Sequence, residues 1–322
     1  MDDPAALQNA TSPTLSPSKW FMEFRWKIIL IAAYSFVFLC GMVGNTVVLY
    51  VIHRKKTRNT MSDVLIASLA FADFLASLNV PLVMIYDLLC PAWHLGYALC
   101  KILPSMNGFT ICASAWSLVL VSVDRLRIIL YPFKAKLSRS NKISSVCFVW
   151  FLSLLVTYPY CHFQELRDDI CASMWSSQKQ QFIYFTIFII VVSFIPVIVM
   201  VIAYTLSAYH LHKRVKIHHN SIATAKRIQQ NRRITNMFAL IVFVFVVLTT
   251  PYWIFVFLYT AIQAFDWTTF QTYNDMLVSL NYSLFTLYAF NSCVNFFIYA
   301  RMYHSFRKVF KKFLRHIPPN NL

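Results

Sequence analysis

The chain has 322 residues, of which 58% are hydrophobic and only 13% charged, and its mean hydropathy is +0.57. A soluble domain of this size has about 25% charged residues, so the composition excludes an ordinary soluble protein and indicates a membrane protein. The formal net charge of +17 is compatible with nucleic-acid binding, but the distribution of the basic residues argues against that function.

Seven apolar blocks follow one another, separated by short polar or charged segments. The first, Ile28–Ile52, contains no charged residue, and the others cover residues 61–89, 98–130, 142–163, 181–210, 234–263 and 276–300. A bilayer core about 30 Å thick needs roughly 20 apolar residues as helix. The sequence therefore predicts an all-α fold, with an outer tail over residues 1–26 and a seven-transmembrane helix bundle over residues 27–301.

Basic residues are distributed unevenly about these spans. All but six of the 29 lysines and arginines fall at the span ends that share one side of the membrane with the C-terminus. Because positive residues concentrate on the cytoplasmic side, this pattern predicts an extracellular N-terminus at the plasma membrane and argues against nucleic acid as a partner. Asn9-Ala10-Thr11 is a sequon in the predicted outer tail, so we expect glycosylation at Asn9. No signal-peptide pattern precedes the first span.

Span two carries a carboxyl group at membrane depth, at Asp73. Ionisable residues in such a place are costly and mark functional sites, although a buried carboxyl that stays protonated is the simpler alternative. Neutral oxygen atoms occur on spans three and seven, at Ser114, Asn291 and Asn295, and the two asparagines share one helix face. One carboxylate among several neutral oxygens suits a small hard cation such as Na⁺.

Residues 302–322, after span seven, have an amphipathic helical pattern. This pattern predicts a short interfacial helix on an anionic leaflet, which makes the lipid bilayer a partner of this segment as well. Its apolar face is formed by Met302, Phe306, Phe310, Phe313 and Leu314, and its basic face by Arg307, Lys308, Lys311 and Lys312.

Short motifs recur in order along the seven spans. They are Gly44-Asn45, Leu69-x-x-x-Asp73, Asp124-Arg125, Trp150, Pro196 with Tyr204, Pro251, and Asn295-Phe296-Phe297-Ile298-Tyr299. Together they resemble the rhodopsin-like family of G-protein-coupled receptors, over about residues 27–315. The resemblance implies a receptor that responds to an extracellular ligand by activating a heterotrimeric G protein. It also implies an allosteric sodium site formed by Asp73, Ser114, Asn291 and Asn295, and no other cofactor.

The resemblance also implies an activation path. Asp124 would hold Arg125 at rest, and Arg125 would be released to contact the G protein when span six swings outward. Tyr204, Pro251, Asn295 and Tyr299 match further positions of this path.

Three positions depart from the family pattern. The foot of span six has Thr235 and no acid, so a second salt bridge to Arg125 is absent and we expect modestly elevated resting activity. The family's tryptophan before Pro251 is replaced by Thr249. The aromatic switch is then either rearranged or shared by Phe245 and Trp253. Phe296 replaces the family's span-seven proline, which predicts a weaker kink there.

The outer cysteines allow two bridges. The resemblance implies a disulfide between Cys100, at the start of span three, and Cys171, in the second outer loop. Cys90 and Cys161 also lie near the outer surface, and a second bridge between them stays open at this point.

A ligand is expected between spans three, five, six and seven, on the outer side. Aminergic receptors of the family carry an aspartate seven residues after the span-three cysteine, and this chain has Asn107 there, which argues against a monoamine. All but three of the twelve acids fall on the predicted outer side, either as solvated loop surface or as an acidic mouth that attracts a basic ligand.

Asp87, at the top of span two, is the best single candidate for binding that ligand. Aromatic candidates surround it in the predicted arrangement, at Tyr86, Trp93, Tyr252, Trp253 and Phe285. A mixed aromatic and acidic cavity suits a basic peptide. The spans also resemble the neuropeptide branch that includes the somatostatin, opioid and neuropeptide Y receptors.

Other functions are weighed against this one. A lipid or small-molecule receptor of the same fold is the first alternative, and a seven-helix ligand-gated channel is a remote one. The sequence contains no nucleophile–base pair, phosphate-binding loop or metal-ligand cluster, so no enzyme is predicted. The short basic loop between spans five and six favours an inhibitory-type G protein, and arrestin is a further expected partner.

Overall fold

The computed structural model describes residues 24–54, 60–90, 92–131, 138–217 and 222–302. Seven helices in these ranges are long and apolar enough to cross a membrane, as the apolar blocks predict. They are Phe24–Arg54, Met61–Leu89, Gly96–Leu130, Arg139–Phe163, Gln178–Lys213, Ile228–Phe265 and Trp267–Met302, referred to below as spans one to seven. Asn9 and the amphipathic segment after Met302 lie outside the described residues.

Side-chain caps define where several spans begin. Thr60, Ser138 and Ser177 precede spans two, four and five, and each has an extended backbone with a hydroxyl that accepts a backbone hydrogen bond. Such a cap satisfies one of the four N–H groups that a helix leaves unpaired at its start. The donors are the backbone N–H groups of Asp63, Asn141 and Gln180, each at 3.2 Å.

Span four shows how the bundle separates its inner face from its lipid-facing side. Its buried residues are Val149, Ser153 and Thr157, which are four residues apart and therefore form one stripe along the helix. Apolar side chains on the other faces are exposed, including Phe151 and Tyr158 at 66% and 64%. Because these exposed residues are apolar, that surface suits lipid and not water.

Span one approaches its neighbours through glycines. A Cβ atom added at Gly44 would lie 2.8 Å from the Phe296 side chain of span seven, and one added at Gly41 would overlap the Ser77 hydroxyl of span two. Asn45 continues this contact, since its Nδ2 donates to the carbonyls of Ser292 (2.8 Å) and Gly41 (2.9 Å). Small residues and interhelical hydrogen bonds of this kind are the usual means of close packing in a bilayer.

The all-α prediction is incomplete, because the second outer loop forms a β-hairpin. Strand β1, Gln164–Arg167, pairs antiparallel with strand β2, Ile170–Ser173. Asp168 and Asp169 make the turn with positive φ angles of 49° and 59°, a conformation that aspartate adopts more readily than most residues. The Asp169 carbonyl accepts a 2.7 Å hydrogen bond from the backbone N–H of Trp93, which attaches the hairpin to the first outer loop.

Span five contains a π-helical turn at Ile190–Phe194. A π turn leaves the regular bonding ladder of an α-helix and frees a carbonyl group for another partner. In this span the Val191 carbonyl accepts a 3.2 Å hydrogen bond from the indole Nε1 of Trp116 on span three.

Span seven is interrupted at Phe290, between the helices Trp267–Ala289 and Asn291–Met302. The sequence predicted a weak kink near Phe296, where the family has proline. The structure places an irregular turn six residues earlier, without a proline. Ser292 supports this turn by donating to the Ala289 carbonyl (2.8 Å), while its own carbonyl accepts the hydrogen bond from Asn45.

Candidate functional site

A cavity of about 320 Å³ lies in the half of the bundle that contains the hairpin. Six of the seven residues predicted to bind a ligand line it, namely Asp87, Trp93, Asn107, Tyr252, Trp253 and Phe285. Spans two to seven and the hairpin all contribute to its wall. The volume is at the lower end of the range for ligand sites, roughly 300–1,000 Å³, and fits a few amino-acid residues.

Tyr86 is the predicted ligand residue that the cavity wall does not include. Its hydroxyl donates to the Ala92 carbonyl (3.1 Å) and accepts from the backbone N–H of His94 (2.8 Å). Its ring meets Trp93 edge-on at a centroid distance of 5.4 Å. Tyr86 therefore fixes the first outer loop and supports Trp93, which is the residue that reaches the cavity.

Asp87 is the one charged side chain among the described residues that line the cavity. The Tyr282 hydroxyl donates a hydrogen bond to its Oδ2. Tyr282 is itself positioned through its carbonyl, which accepts from Thr286 (2.7 Å) and Tyr34 (3.5 Å). Spans one and seven thus hold the tyrosine that orients the carboxylate of span two, so the acid has a defined position at the cavity wall.

Aromatic rings form much of the cavity wall on spans six and seven. The Tyr252 ring lies 5.3 Å from Trp253 and 5.1 Å from both Phe285 and Tyr288, measured between centroids. On the opposite side the Phe188 ring lies 5.6 Å from Trp253. These contacts join span five to span six, and they present ring faces and edges that suit apolar or cationic groups.

The disulfide Cys100–Cys171 predicted from the resemblance is present. It joins strand β2 to the start of span three, so the hairpin residues Gln164, Ala172 and Ser173 reach the cavity wall. Cys90 and Cys161 are both free, so the second bridge that the sequence left open does not form.

Asp73 is the centre of a polar cluster at mid-membrane depth. Its Oδ1 accepts a hydrogen bond from Ser114 (2.8 Å) and its Oδ2 accepts one from Asn295 (2.7 Å), while the side chain itself is 1% exposed. Asn291 lines a space of about 20 Å³ beside them. A space of this size holds a water molecule or a small ion. The hydrogen bonds and this space bring the four predicted residues together.

At the end of span three that bears Asp124 and Arg125, both residues make polar or cation–π contacts. Asp124 accepts a 2.7 Å hydrogen bond from Ser62 and forms an ion pair with Arg127 at 3.4 Å. The Arg125 guanidinium lies over the Phe238 ring, 5.1 Å from its centroid. Ser62 and Arg127 were not predicted, although Arg127 follows Asp124 by three residues, a spacing that places both on one helix face.

Comparison with known proteins decides the family. The model of the 7 transmembrane receptor (rhodopsin family) matches residues 44–299, about four fifths of the chain. The chain belongs to this family. The resemblance seen in the motifs is confirmed, and the protein is a multi-pass membrane receptor.

Similar receptors are found at low identity over nearly the whole chain. Neuropeptide Y receptor type 6 of Oryctolagus cuniculus is 26% identical, with 96% of this chain and 87% of that protein covered. Somatostatin receptor type 2 of Sus scrofa is 26% identical, with 95% and 82% covered. The pyroglutamylated RF-amide peptide receptor of Mus musculus is 25% identical, with 89% and 70% covered.

Span six of this receptor differs from the family pattern in where its tryptophan lies. Thr249 is fully buried, and its hydroxyl donates to the Phe245 carbonyl of its own helix (2.8 Å). Trp253 instead contributes the indole, and its ring contacts Phe188 and, at 5.7 Å, Tyr288. Trp253, two residues after Pro251, therefore connects the cavity to the core of the bundle through aromatic contacts.

Three further residues that the sequence predicts to act in activation lie on spans five, six and seven. Tyr299 lies 6.5 Å from the Phe238 ring, Tyr204 is within electrostatic reach of Arg125, and Thr235 is 4% exposed. These interactions link spans three, five, six and seven at the end of the bundle that bears Arg125.

Sequence reasoning placed the ligand between spans three, five, six and seven, and it missed span four and the individual cavity residues of span five. Thr157 and Tyr160 come from span four, and Tyr184, Phe185 and Phe188 from span five. The spacing of the span-five aromatics, at one and four residues, places them on one helix face and was an available signal. For Thr157 the sequence offers no comparable signal, because a single threonine in an apolar span is common.

Proposed function

We propose that this receptor binds an extracellular peptide whose basic group pairs with Asp87. The observation that carries the proposal is the position of Asp87, which is the one charged residue in the described cavity lining and is oriented by Tyr282. A carboxylate in a cavity of low dielectric attracts a cation more strongly than it does at a solvated surface. The surrounding rings supply apolar surface and cation–π partners for the same group.

The relatives support the same class of ligand. Their names describe receptors for neuropeptide Y, somatostatin and pyroglutamylated RF-amide peptide. The cavity volume fits the end of such a peptide, and the rest of the peptide would contact the hairpin and the outer loops. A lipid receptor, the alternative function, would have little use for an oriented carboxylate in its cavity.

The test is a signalling screen in cells that express the full chain. Libraries of neuropeptides and lipids are applied, and each hit is measured again on Asp87→Asn. We expect a peptide hit whose potency falls at least tenfold in this variant, because a desolvated ion pair is lost. Asp275→Asn is the matched control, since Asp275 lies on exposed outer span seven, outside the cavity lining. A lipid hit that Asp87→Asn leaves unchanged contradicts the proposal.

The proposed orientation places the cavity and the N-terminus outside the cell and Arg125 inside, at the plasma membrane. The coupling partner on the inner side is a heterotrimeric G protein, and we propose the inhibitory type, with arrestin as a second partner. An epitope at the N-terminus should be stained on intact cells. In the screen, a fall in cyclic AMP without a rise in calcium is expected, and the reverse result contradicts inhibitory coupling.

Two regulatory features complete the proposal. Sodium would bind at Asp73, Ser114, Asn291 and Asn295. The first three line a small space, and Asn295 donates a hydrogen bond to Asp73 beside it. Resting activity would be modestly raised because Thr235 offers Arg125 only a hydrogen bond. Thr235→Glu should therefore reduce signalling in the absence of ligand, and equal resting activity in both proteins contradicts this part.

A further inference from the structure

The second strand of the hairpin, β2, has one edge without a paired strand in the described part of the chain. The strand runs over Ile170–Ser173 and pairs with β1 on one side only. In an antiparallel pair, every second residue of a strand directs its backbone N–H and C=O groups toward the partner strand, and the residues between direct theirs away. The register therefore identifies which backbone groups of β2 face away from β1.

The register of the ladder is fixed by one hydrogen bond at its end. The backbone N–H of Met174 donates to the Phe163 carbonyl (2.7 Å), directly beyond the pair Gln164–Ser173. Bonded and non-bonded pairs alternate along an antiparallel ladder, so Ser173 belongs to a non-bonded pair, and so does Cys171 two residues earlier. The N–H and C=O groups of Cys171 and Ser173 therefore point away from β1.

These backbone groups have no hydrogen-bond partner in the ranges of the chain that the structure describes. Cys171 and Ser173 are half-buried, so the groups are not sealed inside the protein. The unpaired edge of a strand is a template for another extended chain, because its donors and acceptors are already aligned. β2 is therefore able to accept a further strand.

The free edge of β2 borders the ligand cavity. Cys171, Ala172 and Ser173 all line the cavity, whereas β1 contributes Gln164 alone of its four residues. Successive side chains of a strand point to opposite faces, so three consecutive residues line one cavity only where the cavity runs along the edge of the strand. A ligand in the cavity therefore lies beside the unpaired N–H and C=O groups.

The two strands of the hairpin differ in how their edges are protected. β1 contains Glu165 and Arg167, which form an ion pair at 2.6 Å, and charged side chains on an edge strand discourage pairing with another chain. β2 contains neither a charged residue nor a proline. Its alanine and serine are also small, which leaves room for a neighbouring strand at the usual distance of about 4.8 Å. The hairpin therefore offers the edge of β2 for pairing and protects β1.

The edge of β2 is held in place before any ligand binds. The disulfide to Cys100 fixes Cys171 to span three, and the hydrogen bond from Trp93 to the Asp169 carbonyl (2.7 Å) fixes the turn beside the first residue of β2. A ligand strand therefore pairs with a preorganised template, and little conformational entropy of the receptor is lost on binding.

We propose that β2 binds a peptide ligand by strand addition, in which an extended backbone segment of the ligand pairs with the N–H and C=O groups of Cys171 and Ser173. This proposal rests on the proposed function and specifies how the ligand backbone is held, while Asp87 binds the cation. Two residues along a strand cover about 6.8 Å, so about three ligand residues take part. The site recognises the backbone of these residues, and their alternate side chains point to either face of the enlarged sheet.

The first test is a scan of methylated probes on the purified full chain in lipid nanodiscs. The parent probe is N-acetyl-Arg-Val-Tyr-Val-Thr-amide, which has one cation, blocked ends and residues that favour an extended backbone. Four further probes each carry one N-methyl group, on successive residues after the arginine. Affinities are obtained from shifts of the melting temperature on titration with each probe.

Strand addition predicts an alternating result in this scan. N-methylation removes one backbone donor, and only every second N–H group of an added strand faces β2. We expect the affinity to fall about three- to tenfold for two alternate probes and to change less than about twofold for the other two.

Substitutions in β2 test the same bonds from the receptor side. Ser173→Pro removes an N–H group of the free edge, so it should melt near the wild-type temperature without ligand and bind the parent probe about three- to tenfold more weakly. Ser173→Ala is the matched control, since it removes the hydroxyl, keeps the N–H group and should bind as wild type does. Ala172→Pro removes an N–H group that faces β1, so it should lower the melting temperature.

Other outcomes overturn the inference. An equal loss for all four methylated probes, or for none, contradicts strand addition, and a loss of parent-probe binding in Asp87→Asn then supports the proposed function alone. Weaker binding by Ser173→Ala assigns the contact to the hydroxyl. If Ser173→Pro reduces cross-linking between receptor copies and leaves probe affinity unchanged, the edge pairs with a second copy. Absence of parent-probe binding also contradicts the inference, and the cell screen decides the proposed function independently.

Discussion

The outer cavity and the Asp73 cluster are both polar regions inside an apolar bundle, but they differ in whether their polar atoms have hydrogen-bond partners. At Asp73 each carboxylate oxygen accepts a hydrogen bond from another span, from Ser114 on one side and Asn295 on the other. At the cavity, Thr157 and Trp253 have groups without a partner in the described chain. Satisfied polar groups hold spans together, whereas unsatisfied ones leave binding energy for a ligand.

This difference predicts that polar substitutions have opposite consequences in the two regions. Removing a group at the Asp73 cluster leaves its former partners unpaired and costs stability. Removing a group at the cavity leaves no new unpaired atom and costs binding alone. The substitutions below test this contrast, from the largest expected effect to the smallest.

Asp73→Ala is expected to have the largest effect. It leaves the Ser114 hydroxyl and the Asn295 amide without their acceptor, at a cost of about 1–3 kcal/mol for each buried group. The melting temperature of the purified receptor should fall clearly, and any stabilisation by sodium over potassium should disappear. Asp73→Asn keeps one oxygen acceptor. It should also lose the stabilisation by sodium, but its melting temperature should fall less than that of Asp73→Ala. A melting temperature equal to wild type for Asp73→Ala means that these bonds do not stabilise the bundle.

Gly41→Ala comes next, because its new methyl group would overlap the Ser77 hydroxyl between spans one and two. Overpacking of this kind costs about 1–3 kcal/mol. The double variant with Ser77→Gly should regain part of the lost melting temperature. Gly108→Ala is the cavity counterpart and should cost less, since its new methyl group would lie 3.2 Å from the Phe188 ring instead of overlapping a neighbour. Equal losses at Gly41 and Gly108 would falsify the contrast between packed and open regions.

Asn79→Leu should have a smaller effect, on ligand potency. It removes the donor that fixes the Asn107 amide at the cavity wall, so Asn107 loses its defined orientation. We expect the potency of the peptide hit from the cell screen to fall about threefold. Thr186→Val is the control, because its hydroxyl is bonded within its own helix and Thr186 lies outside the cavity lining. Unchanged potency shows that Asn79 does not position Asn107.

The smallest effect concerns Asp266, between spans six and seven. Hydrogen bonds from Thr269 and Thr268 hold the pKa of this carboxyl below its ordinary value of 3.8. A lowered pKa stabilises the folded form above the ordinary value, and this contribution is lost as the pH falls through the lowered pKa. Hydrogen exchange at the start of span seven should therefore lose protection below about pH 4. Asp266→Asn should keep the helix cap and remove the pH dependence.

The sequence predicts best what depends on local chemistry. The spans follow from their length and hydropathy, the disulfide and the Asp73 cluster from the resemblance to a known family, and Asp87 from its place at the top of an apolar span near aromatic residues. The sequence does not predict features that depend on which face of a helix points into the bundle. Thr157 and Phe188 reach the cavity because of how spans four and five pack, and Tyr86 turns to the first outer loop because backbone groups near His94 need partners. The hairpin depends on the positive φ angles at Asp168 and Asp169, and two adjacent aspartates are not enough to predict such angles.

The π turn at Ile190–Phe194 has a consequence for how span five tolerates change. A π turn accommodates one residue more than a regular helix, and a single residue corresponds to a rotation of about 100° around the axis. The π turn follows Phe188, so the extra residue rotates the cavity-lining face at Tyr184 and Phe188 relative to the rest of span five. Deletion of Val191 would restore a regular helix and turn this face toward lipid, while leaving the length and hydropathy of the span almost unchanged. In the proposed binding site, the side chains that span five presents to a ligand would therefore depend on the number of residues in the span as well as on their type.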